Sequence, residues 1–146
     1  MTSKIISDSS CDLDKETLKN LDVKVLRIKG TDEKGEDLPE DLTNKEIYKR
    51  MREGAFFKTS QLTYYDYFKE FEESAKEGKD IIALTLSSGL SGTYQNACMA
   101  KREIEEKYDI RVEVVDSLAA SVGFGQITYF AGLASKNGAT YDEVLD

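Results

Sequence analysis

Histidine is absent from the 146 residues. That excludes Ser-His-Asp and Cys-His catalysis within the chain, and any zinc site built on imidazole. Cysteine occurs twice, as Cys11 and Cys98, too few and too far apart for a disulfide framework or a metal knuckle. The expected state is two reduced thiols in a cytoplasmic protein, with Cys98 a small buried apolar side chain. No apolar run approaches the ~18 residues of a membrane span, so no stable membrane insertion is expected. Basic residues are the minority, 20 Lys+Arg against 28 Asp+Glu. The net charge of -8 and the pI near 4.7 argue against nucleic acid and anionic membrane as general partners. Neither a Gly-Lys-Ser/Thr phosphate loop nor a GxGxxG dinucleotide fingerprint is present.

What remains is a globular composition, 40% hydrophobic with 10% aromatics, long enough for one domain with a sizeable core. Strand and helix signals alternate. Short apolar segments at 4–7, 23–28, 81–86 and 111–116 read as strands, the third continuously apolar as in a buried parallel sheet. A helix is expected to begin near Asp12 or Asp14. Residues 31–36, with Gly35, read as a turn able to feed a hairpin. Thr43-x-x-Glu46 and Thr63-x-x-Asp66 are capping boxes, with Gly54 and Gly78 closing the helices they open. Tyr64, Tyr67, Phe68, Phe71 and Ala75 fall on one helical face and read as core more readily than as a ligand wall. A long helix is expected to run to about Tyr108, the charges at 101–107 forming its solvated face. Another follows Asp116 and ends at Asn137-Gly138. The pattern predicts an α/β fold, a three-layer sandwich around a largely parallel sheet.

In such sheets ligands sit beyond the carboxyl ends of the strands. Three polar clusters fall there: Asp8-Ser9-Ser10, Ser87-Ser88-Gly89-Leu90-Ser91-Gly92-Thr93, and Asp116-Ser117. The second places hydroxyls and glycines between a strand and a helix start, where backbone N–H groups and the helix dipole favour an anion. A Ser-rich turn and N-cap with no ligand fits the same residues. Asp8 and Asp116 suit either metal or acid–base chemistry or, more simply, acceptance of loop N–H bonds. A further hydroxyl pair, Thr59-Ser60, lies in what reads as a loop before a helix.

Together these motifs resemble the DegV family of bacterial fatty-acid-binding proteins. The resemblance rests on Asp8-Ser9-Ser10, Thr59-Ser60-Gln61, the run from Leu86 to Gln95, Asp116-Ser117 and Gly123-Phe124-Gly125, in the family's order across nearly the whole chain. It implies that a fatty-acid carboxylate is held by hydroxyls, here Thr59 and Ser91, with Ser60, Ser88 and the Gly92 N–H in support. Phe56, Phe57 and Phe124 become candidates for an acyl tunnel, and Asp8, Ser9 and Asp116 for shaping the loops. No metal, catalytic residue or cofactor is implied, only a bound long-chain fatty acid. The resemblance also implies a partner, a separate ATP-dependent fatty acid kinase that phosphorylates the presented carboxylate. Leu62 departs from the family, which usually has proline there.

Two other readings stay open: a phosphoryl- or acyl-transfer enzyme using the same anion site, and a regulatory ligand-binding module. DegV-like proteins have two domains, so residues 1–138 are expected to be the N-terminal domain. Residues 139–146, opened by the capping box Thr140-x-x-Glu143, then begin a truncated helix leading to a second domain absent from this chain. That absence removes basic and imidazole groups near the carboxylate and uncovers apolar tunnel wall, so self-association is expected. Burying a tail contributes about 0.8 kcal/mol per CH₂, whereas each charge-assisted head-group bond contributes about 1.5–3 kcal/mol. The tail therefore dominates affinity. Titrating the chain with a fluorescent fatty acid is expected to give weak binding; submicromolar binding to a monomer contradicts this division of affinity.

Overall fold

The computed structural model describes residues 3–146. In chain order its elements are β1 (Lys4–Asp8), a 3₁₀ turn (Ser9–Cys11), α1 (Lys15–Asn20), β2 (Val23–Leu26), β3 (Lys29–Thr31) and α2 (Asn44–Arg52). There follow β4 (Lys58–Ser60), α3 (Tyr64–Lys76), β5 (Ile81–Thr85), α4 (Thr93–Lys107), β6 (Val112–Asp116), α5 (Ser121–Lys136) and α6 (Tyr141–Leu145). These fall into two compact units: the chain up to Arg27 together with Leu62–Asp146, and Ile28–Gln61.

The larger unit is an α/β fold around a parallel sheet of order β2-β1-β5-β6. β5 is central and buried along its whole length, as its continuous apolar run requires. Ile82 and Leu84 share one core with Ile5, Val23, Phe124, Ala131 and Tyr141, while α3 and α4 pack together and α4 covers β5 and β6. On α3, Tyr67, Phe71 and Ala75 are buried, so the aromatic stripe is core. The Tyr67 hydroxyl has no hydrogen-bond partner among the described residues; burial, followed by the charge of Asp8, pushes its pKa up and keeps it protonated.

The helix ends follow the local signals. Asp14 caps α1, and Thr43, Thr63 and Thr140 each close a reciprocal capping box. Gly54 and Gly78 take up the left-handed backbone just past α2 and α3. One strand is shorter than its apolar segment: β2 ends at Leu26, and Ile28 belongs to the smaller unit. There the turn around Gly35 forms, with Asp32 and Glu36 joined backbone to backbone at 2.9 Å. Thr59 and Ser60, read from sequence as loop, instead lie in β4, which pairs antiparallel with β3 so that Thr59 faces Gly30.

Cys98 is partly exposed on α4, not the buried side chain expected. Cys11 is the buried cysteine, and burial pushes its thiol pKa up, leaving it protonated and unreactive.

α5 approaches its neighbours through glycine. A Cβ on Gly125 would lie 2.4 Å from the Cys11 carbonyl oxygen, which is backbone and cannot swing away. Gly125→Ala is therefore expected to cost about 1–3 kcal/mol by overpacking, more than the ~1 kcal/mol that leaving glycine gains within a helix. Gly89→Ala, where the nearest atom is the Ser87 hydroxyl at 3.5 Å, serves as the control with little change. Urea denaturation of both variants measures the difference.

Candidate functional site at the carboxyl edge of the sheet

Three loops leave the carboxyl ends of β1, β5 and β6, and two aspartates join them. Asp8, fully buried, accepts from the Leu86 N–H at 2.9 Å and the Ser10 N–H at 2.9 Å, and from the Ser10 hydroxyl. The end of β1 is thus tied to the loop after β5. Asp116 accepts from the Ser88 N–H at 3.0 Å and the Leu118 N–H at 3.1 Å. The nearby Ser88 side chain, then these N–H bonds, hold its carboxyl below the usual aspartate range. Both aspartates therefore occupy the loop-shaping geometry. Ser9 sits in the 3₁₀ turn, where its carbonyl accepts from the Asp12 N–H at 3.4 Å. Among the described residues no group of three or more acidic or thiol side chains is placed to hold a metal ion.

The loop between β5 and α4 differs from an open nest of N–H donors. Gly89 N–H donates to the Ser87 hydroxyl at 3.2 Å, and the Leu90 and Ser91 N–H groups donate to the Ser87 carbonyl at 2.9 and 3.2 Å. Gly92 is the N-cap of α4 and supplies no side-chain cap. Ser88 directs its N–H to Asp116.

Ser91 is held through its hydroxyl. Its Oγ accepts from the Thr93 N–H at 3.2 Å and lies 2.9 Å from the fully buried Thr93 hydroxyl. With Thr93 donating, Ser91 accepts twice and keeps its own hydrogen for an acceptor outside the loop. Thr93 escapes a sequence reading because a threonine opening a helix reads as a cap.

Backbone strain gathers beside these residues. Leu118 and Ser121 have φ of 51° and 50°, left-handed values that cost a bulky residue such as leucine most. Asp116 holds the Leu118 N–H, and the Ser117 hydroxyl donates to the Ala119 carbonyl at 3.2 Å. The Ser87 N–H reaches the Ala119 carbonyl at 3.1 Å, joining the loops after β5 and β6.

Phe124 is fully buried in the core with Ile5, Cys11 and Leu84, so its ring packs the helix on the sheet and is not open wall. In the smaller unit Thr59 and Ser60 are exposed on β4, Phe56 is exposed and Phe57 half-buried. Leu62, in place of the family's proline, anchors its segment by burial, and its carbonyl accepts from the Asn96 side chain at 2.7 Å.

Since the folded-state pKa of Asp116 is depressed, its contribution to stability is present above the ordinary aspartate pKa and is lost as pH falls through the folded value. Asp116→Asn is expected to lower the melting temperature at neutral pH, with the gap to wild type closing in acid. Thermal melts across pH 2–7 check this; a gap independent of pH contradicts it.

Comparison with known proteins places this geometry. The DegV family model, described as an uncharacterised protein, matches residues 2–146. A DegV domain-containing protein of Clostridium perfringens is 38% identical over 145 residues, covering 96% of this chain and 50% of that protein. A Thermotoga maritima protein named fatty acid-binding protein is 38% identical over 152 residues, covering 99% of this chain and 51% of its own. A stearic-acid-binding protein from Eubacterium ventriosum has the same fold at a TM-score of 0.88 and 28% identity, with 98% of this chain and 50% of that one aligned. The chain spans about half the length of the curated relatives it matches. Matched along nearly all of its length by the family model and by these relatives, the chain belongs to the DegV family.

Proposed function

We propose that this chain carries the head-group site of a fatty-acid-binding protein, and that Ser91 is its principal carboxylate donor. The observation that carries the reading is the Ser91 hydroxyl, which accepts from the Thr93 N–H and lies against the buried Thr93 hydroxyl; when Thr93 donates across that contact, the Ser91 hydrogen is left for a ligand. A carboxylate accepts only, so it suits a site that offers donors and no acceptors. Relatives named for binding fatty acid, one of them stearic acid, support the ligand class. The family resemblance also implies Thr59 and Ser60 as hydroxyl donors. Phe56 and Phe57 remain the candidates for tail contact.

The reading assigns no catalytic residue: without histidine, no imidazole base stands by to activate these serines. The bound acid is then passed, as the resemblance implies, to a separate kinase that phosphorylates its carboxylate, in the cytoplasm. Among the described residues no helix is long and apolar enough to cross a membrane.

Native mass spectrometry of the purified chain, with extraction of its ligand, tests the class directly. A long-chain fatty acid supports the carrier, and a phosphorylated metabolite points to the transferase. Ser91→Ala is expected to weaken binding of a fluorescent fatty acid by about tenfold or more, one charge-assisted bond being worth about 1.5–3 kcal/mol. Unchanged affinity removes Ser91 from the site.

A further inference from the structure

The direction in which Ser91 points its hydrogen is set from inside the protein. Thr93, in the first turn of α4, is fully buried, whereas Ser91 is half-buried in the loop before it. Their hydroxyl oxygens are 2.9 Å apart, and either oxygen could donate across that contact. Burial decides which one does. A donor hydrogen left unpartnered in the interior loses the bonds that water gave it in the unfolded chain. Among the described residues Ser91 Oγ is the only acceptor at hydrogen-bond distance from the Thr93 hydroxyl. If Ser91 donated, the Thr93 hydrogen would be stranded. With Thr93 donating, nothing is stranded, because the half-buried Ser91 hydroxyl still reaches solvent or a ligand.

The acceptor side of Ser91 is then full. A hydroxyl has one hydrogen and two acceptor positions. The Thr93 N–H takes one position at 3.2 Å, and the Thr93 hydroxyl takes the other. A serine that only caps a helix accepts one N–H bond and keeps an acceptor position for its surroundings. Ser91 keeps none, so it meets a ligand as a donor alone.

We propose that Thr93 is a specificity-determining residue: by filling the last acceptor position of Ser91, it makes the site prefer an ionised carboxylate to an alcohol on the same acyl chain. The inference rests on the reading of Ser91 as the carboxylate donor. A carboxylate accepts only, and its charge makes the bond about twice as strong as a neutral one. An alcohol also accepts from Ser91, but its own hydrogen finds no acceptor there. Valine keeps the branched shape of threonine without the hydroxyl, so Thr93→Val reopens an acceptor position on Ser91 and frees its hydrogen to turn. Thr93 acts through Ser91 and touches no ligand itself.

Displacement of a fluorescent fatty acid by dodecanoate and by dodecanol tests the proposal at neutral pH, with circular dichroism to check folding. The wild type is expected to prefer the acid. Thr93→Val is expected to lower the ratio of acid to alcohol affinity by about fivefold, the worth of one ordinary hydrogen bond. Thr93→Ser, which keeps the hydroxyl, is expected to restore the ratio, and in a Ser91→Ala background Thr93→Val is expected to leave it unchanged. A Thr93→Val variant that binds both ligands more weakly at an unaltered ratio has lost only structure, and overturns the proposal. So does a lowered ratio that Thr93→Ser fails to restore. The hydrogen direction is read separately by NMR of the ligand-free wild type, where the Thr93 hydroxyl proton is expected to exchange slowly and to lie close to the Ser91 Cβ protons. A rapidly exchanging proton overturns the proposal even where Thr93→Val does not fold. A wild type that binds neither compound overturns the fatty-acid reading and the selectivity with it, while a slowly exchanging Thr93 proton in that same sample shows that the failure lies in the ligand class and not in the bond.

Discussion

The buried carboxyl of Asp8 is the constraint on which the carboxyl edge of the sheet depends. It ends β1, accepts from Ser10 twice and from the Leu86 N–H, and so fixes where the chain leaves the neighbouring strand β5. A polar group taken fully out of water is costly unless its hydrogen-bonding capacity is used, so the donors and the aspartate hold each other in place. Asp116 repeats the device one strand further along, through Ser88 and Leu118. Two acceptors, at the ends of the strands that flank β5, thus gather three loops.

This bracing changes what the Ser/Gly loop can offer. Most of its N–H donors close turns within the protein, so hydroxyl groups become the outward chemistry. Ser88 and Ser91 are three residues apart in a run of similar residues, yet they are held differently. Ser88 gives its N–H to Asp116, while the Ser91 hydroxyl accepts from the Thr93 N–H and lies against the Thr93 hydroxyl. The left-handed Leu118 shows that the bracing carries local strain, held by the Asp116 bond to its N–H.

Much of the fold was legible because its signals are local. A threonine and the acidic residue three positions on form a capping box whatever surrounds them, and Thr43, Thr63 and Thr140 all do so. The continuous apolar run of β5 needs only burial on both faces. The pairing of β3 with β4 was not legible: each has three residues, and a long connection containing α2 separates them. Cys98 and Phe124 were misplaced for a related reason. The surroundings of a helical residue depend on which face the sheet covers, and neither composition nor flanking glycines reveals that. The bonds that shape the loops were not legible, since sequence does not say that the Ser88 N–H goes to Asp116 or the Leu86 N–H to Asp8.

The central claim is that Ser91 donates to the carboxylate of a bound fatty acid. It is tested most directly by ¹³C NMR of a carboxyl-labelled fatty acid on the chain, comparing the wild type with Ser91→Ala. The account predicts a bound carboxyl resonance that shifts on loss of the Ser91 hydroxyl. A resonance indifferent to Ser91 contradicts it.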